Sequence, residues 1–216
     1  MHAWLHELLV TWFSWVRDWG YLGVFLLMAM ESSFLPVPSE IVIPPAAYWA
    51  SQGRMTMVGV IVAGTLGSYF GAMAMYIVSR RFGRPFLMRY GRFVFVSPEK
   101  LERAERFLER YENGGVFFAR LLPVVRHLIG IPAGIVRMRI LPYSIATLVG
   151  SAIWCTVLAW FGREVLGNEP KLIEDPDALI HALKDKSGPI VIGVVVLLAL
   201  YVLVVRLTDK RGGQRA

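Results

Sequence analysis

Residues 116–136 read VFFARLLPVVRHLIGIPAGIV, an apolar stretch that carries Arg120 and Arg126 and is interrupted by Pro123, Gly130, Pro132 and Gly134. Proline removes a backbone donor and clashes with the preceding turn, so no straight helix is expected here. Broken backbone at membrane depth persists only where it is buried in protein or lines a cavity. The stretch therefore predicts a hairpin held among other membrane helices, and the rest of the chain has to supply them.

Composition agrees with that demand. Of 216 residues, 56% are hydrophobic and 18% charged, and the mean hydropathy is +0.52. This is the balance of an all-α polytopic membrane protein. A net charge of +7 would raise the question of nucleic acid in a soluble chain. Here the basic residues flank apolar runs, so topology accounts for them and no nucleic-acid partner is expected. Cys155 is the single cysteine and lies in an apolar run, which excludes a disulfide framework and a Cys-based metal site within the chain. No cofactor or metal is expected, and no stretch is long enough for an appended soluble enzyme domain.

Pro189 to Leu207 is uncharged along IVIGVVVLLALYVLVV and long enough to cross a core of roughly 30 Å. Met55 to Ser79 and Ile140 to Gly162 are similarly long, and Gly59, Gly64, Gly67 and Gly71 in the first predict close helix packing. Gly20 to Met30 is apolar but short. Phe34 to Trp49 reads FLPVPSEIVIPPAAYW, and Pro36, Pro38, Pro44 and Pro45 argue against a straight helix there.

Charge orders these pieces. Arg80, Arg81, Arg84, Arg89 and Arg92, with no acid among them, place the loop after Ser79 in the cytoplasm, and Arg206, Lys210, Arg211 and Arg215 place the tail there too. Residues 163–187 carry four basic and six acidic side chains and suit the outside. Ile140 to Gly162 then runs outward, so both ends of 116–136 are cytoplasmic and the stretch is a re-entrant hairpin. The same logic makes 34–50 a hairpin entering from outside. Hairpin plus transmembrane helix thus occurs twice in opposite orientation, an inverted repeat whose broken elements should meet near the midplane.

The domain plan that follows has four parts. Residues 1–19, with Trp4, Leu8, Trp12, Trp15 and Trp19 at helical spacing, form an interfacial amphipathic helix and lack the marks of a secretory signal. Residues 20–163 form the membrane core, 164–187 an external acidic loop, and 188–216 a C-terminal transmembrane helix with a basic cytoplasmic tail. Both termini are placed in the cytoplasm. Between the hairpins, Ser97-Pro98 and the stripe Leu101, Ala104, Leu108 and Tyr111 predict a surface helix.

Four ionisable residues fall in apolar surroundings: Glu31, Glu40, Arg120 and Arg126. Each is costly there, by about 2.5 to 3.5 kcal/mol for Arg or Asp at mid-helix. A bland explanation is two buried ion pairs that hold the hairpins together, although apolar repacking is usually no less stable. A functional explanation starts from Pro123. On one straight helix, residues six apart point about 240° around the axis from each other. A bend at Pro123 lets Arg120 and Arg126 converge, and two planar guanidinium forks suit an oxyanion such as phosphate. Helix ends at a hairpin tip would add backbone N–H groups for the same anion. A carboxylate in a low dielectric holds a proton more readily unless a cation compensates, so Glu31 and Glu40 are candidate proton carriers. An anion at the arginines would compete with them and couple the two movements. His127 reads as a packing or hydrogen-bonding residue.

Glu31 followed by Pro36-Val37-Pro38-Ser39-Glu40, then Phe117-Phe118-Ala119-Arg120-Leu121-Leu122-Pro123-Val124-Val125-Arg126 and the Gly130 to Gly134 stretch, resembles the DedA family of bacterial inner-membrane proteins, the VTT-domain group. The resemblance covers roughly Gly20 to Gly162. It implies a translocase (flippase) for a lipid carrier, with members recycling undecaprenyl phosphate across the bacterial inner membrane at the expense of the proton gradient, and with relatives that scramble phospholipids. By that likeness Arg120 and Arg126 match the family's arginine pair and Glu31 its membrane acid, while Glu40 occupies a position where some members carry Asp.

The partners expected are therefore undecaprenyl phosphate or another anionic phosphate lipid, the membrane, and protons or Na+; a homo-oligomer is compatible with the sequence. Three alternatives stand beside this reading: a phospholipid scramblase of the same fold, an assembly scaffold whose buried charges are structural, and a lipid phosphatase. Phosphatase chemistry calls for a clustered nucleophile or general base, whereas His2, His6, His127 and His181 are scattered.

Overall fold

The computed structural model describes residues 3–33, 38–90, 102, 106, 108, 114–122, 125, 126 and 128–168. Every regular element among them is a helix: α1 (Ala3–Trp19), α2 (Tyr21–Glu31), α3 (Ser39–Ser51), α4 (Met57–Tyr90), α5 (114–120), α6 (Gly130–Ile135) and α7 (Ile140–Asn168).

Two helices are long and apolar enough to cross a membrane, Met57–Gly83 and Ile140–Glu164. At about 1.5 Å per residue each exceeds a hydrocarbon core of roughly 30 Å. Their outer faces are apolar as well. Val58, Val62, Leu66 and Phe70 on α4, and Leu141, Ile145, Val149 and Ile153 on α7, repeat at every fourth position and are exposed. Such long apolar stripes are avoided on soluble monomers and are what lipid tails require. At Gly83 a φ of 61° breaks the helical path of α4, a conformation that glycine adopts without steric cost.

The two long helices lie antiparallel. Ser68 meets Ser151 at 3.2 Å, Tyr69 meets Ser144 at 3.1 Å, and Tyr143 donates to the Ala72 carbonyl at 3.1 Å. Shorter helices pack on this pair in a regular way. The glycine face of α4 receives α2: a Cβ on Gly67 or Gly71 would collide with the Phe25 or Ala29 carbonyl. At the other end of the contact the Tyr21 hydroxyl accepts from the Thr56 N–H at 2.7 Å, so α2 and α4 run in the same direction. α3 returns along α7, from Trp154 beside Ser39 to Gly162 beside Pro44. In the other half α5 climbs along α7, where Gly150 abuts Arg120 and the Phe117 carbonyl, and α6 descends along α4, where Gly130 lies beside Ala72 and Gly134 beside Tyr76.

Among the described residues two large apolar cores result, with a small third one at Met75 and Ile131. One gathers Val24, Leu27, Met28, Ile43, Trp154 and Cys155; the other gathers Tyr76, Val116, Ala119, Ile129, Ala133 and Tyr143. A polar layer separates them, and it holds the candidate site.

Several expectations need correction. Residues 39–51 form one helix that passes through Pro44 and Pro45. The prolines leave the Glu40 and Ile41 carbonyls without their helical donors, but they fall within the second turn, and nine of the helix's thirteen residues are buried. Tertiary packing outweighs the local cost. The chain therefore reverses between Glu31 and Ser39, at the start of 34–50, and the short run Gly20 to Met30 lies in the helix that leads into the turn. Pro38 stands at the N-cap of α3 with a φ of −69°, while Pro36 lies outside the described residues, as does Pro123.

The second stretch breaks after Arg120 and restarts at Gly130. Gly130 and Gly134 act there through close packing on α4 and not through left-handed turns, and Pro132 is buried between them within α6; among the described residues only Gly20, Gly53, Gly83 and Arg137 have a positive φ. α7 continues to Asn168, past the expected end of the apolar run. α1 buries Phe13 and Val16 in the first core and leaves Trp19 exposed. The acidic loop beyond Asn168 and the C-terminal segment 188–216 lie outside the described residues, as does most of the expected helix of 97–111, in which Leu108 is buried and Glu102 and Arg106 are exposed.

Candidate functional site

Local chain geometry brings three elements to one depth. α2 ends at Glu31, α3 begins at Ser39, and the broken segment carries Arg120 on the last turn of α5 and Arg126 in the turn that follows. All three reach the level of Ser68 on α4 and Ser151 on α7. Arg120 and Arg126 are each only 1% exposed, and Glu31 is 6% exposed.

Arg126 has partners at both terminal nitrogens. Its Nη2 lies 3.1 Å from Glu31 Oε2, close enough for an ion pair but out of line for a hydrogen bond. Nη1 donates to Ser39 Oγ at 3.1 Å and Nη2 to Ser68 Oγ at 3.3 Å. The guanidinium carbon also sits 5.6 Å from the centre of the Trp154 ring, within cation–π range. Glu31 is held from its other side, since Oε1 accepts the Ser39 N–H at 3.2 Å.

Ser39 is a junction. Its hydroxyl accepts from Arg126 and, at 3.2 Å, from Trp154 Nε1, and it donates to Glu40 Oε2 at 3.3 Å. Glu40, half-buried, thus reaches Arg126 through one hydroxyl. Ser68 is a second junction, shared by Ser32 at 2.8 Å, Ser151 at 3.2 Å and Arg126.

Arg120 is different. Nη2 donates to the Tyr143 hydroxyl at 3.3 Å, and Nε and Nη1 have no partner among the described residues. Tyr143 in turn donates its O–H to the Ala72 carbonyl and stacks on Tyr76 with ring centres 4.6 Å apart. Arg120 and Arg126 therefore connect to α4 at Ala72 and Ser68, one turn or about 6 Å apart along the axis. Buried donors are nearly always satisfied, and a cation left short of partners in an apolar setting calls for an anion or water. The Arg126 Nε is uncommitted as well.

Of the residues singled out in the sequence, Glu31 and Arg126 are in contact, Glu40 is one residue removed, and Arg120 lies one helical turn away with no carboxylate beside it among the described residues. Of the two ion pairs in the bland explanation, the described residues contain one, Glu31 with Arg126. His127 lies outside the described residues. Sequence reasoning missed Ser39, Ser68, Ser151, Tyr143 and Trp154. Tyr143, Thr147 and Ser151 recur every four residues in an apolar run, a hydroxyl stripe that helical spacing makes visible in retrospect. Among the described residues no three His, Cys, Asp or Glu side chains converge as a metal site would need.

The VTT domain family matches residues 34–164. The chain belongs to that family, the DedA membrane proteins. The matched span takes in Glu40, Arg120 and Arg126 and leaves Glu31 and α2 just outside it. Among relatives, the uncharacterized membrane protein YkoX of Bacillus subtilis is 34% identical over 92% of this chain and 85% of its own length. Undecaprenyl phosphate transporter A of the same organism is 32% identical over 90% of this chain and 93% of its own. An alkaline phosphatase-like protein of Lactococcus lactis is 30% identical over 88% of each chain. No solved structure matches significantly. Family membership and the apolar outer faces of α4 and α7 make this a membrane protein.

Proposed function

We propose that this VTT-domain protein is a proton-linked flippase that carries a phosphate-headgroup lipid, undecaprenyl phosphate foremost, across the bacterial cytoplasmic membrane. What carries this reading is the pair of buried arginines, one engaged by Glu31 and the other with two N–H groups uncommitted. Two planar forks one turn apart suit the several oxygens of a phosphate. A relative named undecaprenyl phosphate transporter A, similar over nine-tenths of the chain, supports the choice of lipid.

In this mechanism α2–α3 and α5–α6 are re-entrant hairpins entering from opposite faces, and the two halves are an inverted repeat. The packing supports it: in each half the first arm lies on the long helix that follows, and the second arm crosses to the other long helix. α1 lies in the interface, the segment after α7 is external to residue 187, and 188–216 returns the chain to the cytoplasm, where both termini lie. A phosphate arriving at Arg120 competes with Glu31 for Arg126. The displaced carboxylate then takes up a proton, with Glu40 joined to it through Ser39. Phosphate leaving on the other side returns Glu31 to Arg126 and releases the proton. Na+ could replace the proton in the same exchange.

The test is transfer of labelled polyprenyl phosphate between leaflets of protein-containing vesicles, with and without a pH gradient. Wild-type protein should move intact lipid faster under the gradient. Glu31→Gln, which mimics the protonated acid, should bind the lipid at least as well yet lose the gradient response. Release of inorganic phosphate instead of movement would favour the phosphatase-like name of the Lactococcus relatives. Unchanged pH dependence in Glu31→Gln would remove Glu31 from the proton path.

A further inference from the structure

We propose that the groove between α5 and α7 is the seat of the hydrocarbon tail of the phosphate lipid, an inference that rests on the headgroup reading of Arg120 given above. α5 and α7 run side by side from Gly114 and Leu141 at one end to Arg120 and Gly150 at the other. Between them opens a groove of about 510 Å³, with Phe117 on one wall, Leu141, Ile145 and Val149 on the other, and Ala146 in the floor.

Its course points to a tail and not to bilayer contact in general. Leu141, Ile145 and Val149 stand at every fourth position of α7 and are 72%, 54% and 46% exposed, so the wall becomes more enclosed toward Arg120. The lining reaches Val149, the neighbour of Gly150, and at Gly150 the two helices close on each other, since a Cβ there would lie 2.7 Å from Arg120 Cβ. Arg120 stands one turn beyond Phe117 on the same face of α5. A lipid whose phosphate meets Arg120 thus has an apolar groove within one helical turn of that residue, on the same pair of helices. Inside a bilayer, leaving one apolar surroundings for another brings no hydrophobic gain. The groove therefore acts by shape, aligning a flexible chain behind its headgroup, while the arginines supply the affinity for phosphate.

Ile145→Trp and Val149→Trp fill the groove from its exposed wall. Ile77→Trp, on the lipid-facing side of α4 and 52% exposed, is the matched control. Each protein is tested for binding of a polyprenyl phosphate and of butyl phosphate, which carries the headgroup with almost no tail. The groove variants should weaken polyprenyl phosphate binding and slow its transfer about tenfold while leaving butyl phosphate binding unchanged, and Ile77→Trp should change none of the three. In wild-type protein a polyprenyl phosphate with a diazirine in its tail should crosslink to 141–149, and unlabelled polyprenyl phosphate should suppress this where excess bilayer phospholipid does not. Equal effects in all three variants, or crosslinking displaced by any phospholipid, would make the groove ordinary lipid-facing surface and overturn the proposal. Butyl phosphate binding indifferent to Arg120→Lys would overturn the headgroup reading instead.

Discussion

The α2–α3 hairpin and the α5–α6 hairpin reach the same polar layer by different means. The first is built of helices of 11 and 13 residues, seated on the glycine face of α4 and against α7, and it brings acids, Glu31 and Glu40. The second offers a described arm at 114–120, a turn, and a helix of six residues, and it brings both arginines. Their satisfaction differs in parallel. Arg126, which faces the first hairpin, is held by Glu31, Ser39 and Ser68, whereas Arg120, which faces its own half, has Tyr143. Stability is thus concentrated where the two hairpins touch, and unused binding capacity lies one turn away.

Replacing each arginine by Met tests that separation most severely. Arg126→Met strands Glu31 as a buried charge and frees Ser39 and Ser68, and breaking a buried pair in this way costs about 3 to 5 kcal/mol. Arg120→Met removes a buried cation that has one neutral partner, so stability should hold or rise while lipid transfer is lost. Thermal midpoints of the two purified variants decide it. Equal destabilisation would mean that Arg120 is as structural as Arg126 and would dissolve the contrast.

The contrast also explains what was legible in the sequence. Arg120, Arg126, Glu31 and Glu40 stand out because a charge in an apolar run is conspicuous without any structure. The spans of α4 and α7 follow from uninterrupted hydropathy, and the contact face of α4 from its glycines. α3 was misread because proline costs about 3 kcal/mol in a helix interior by local rules, and close packing at Gly162 against Pro44 is a tertiary fact. The serine junctions were invisible for a related reason. Ser39, Ser68 and Ser151 are unremarkable one at a time, and their convergence depends on how helices far apart in sequence rotate against each other. The same rotation decides which arginine meets Glu31.

A smaller effect should come from adding one methyl group to each hairpin's seat. Gly71→Ala drives a Cβ into the Ala29 carbonyl, where backbone faces backbone. Overpacking of this kind costs about 1 to 3 kcal/mol. Gly150→Ala meets Arg120 Cβ at 2.7 Å instead, on the first arm of the second hairpin. There the arm should shift, with a smaller loss of stability and a larger loss of lipid transfer than in Gly71→Ala. Denaturation and vesicle transfer measured on the same preparations would expose the reverse ranking, which would place the rigid seat in the second hairpin.

Tyr143→Phe is the gentlest probe and the most specific. It keeps the ring stacked on Tyr76 and removes one hydroxyl, with its 3.3 Å bond from Arg120 and its 3.1 Å bond to the Ala72 carbonyl. A single hydrogen bond contributes about 0.5 to 1.5 kcal/mol net, so the melting curve should move little. The consequence falls on Arg120, whose guanidinium loses the group that orients it. If Arg120 is held in place for a phosphate, affinity for a lipid phosphate should fall by up to about tenfold, since 1.4 kcal/mol is one decade. Ser68→Ala makes the complementary change at Arg126, which keeps Glu31 and Ser39, and should weaken binding less. Should Ser68→Ala weaken lipid binding while Tyr143→Phe leaves it untouched, the anion is met by Arg126 as it exchanges with Glu31, and the uncommitted N–H groups of Arg120 belong to water.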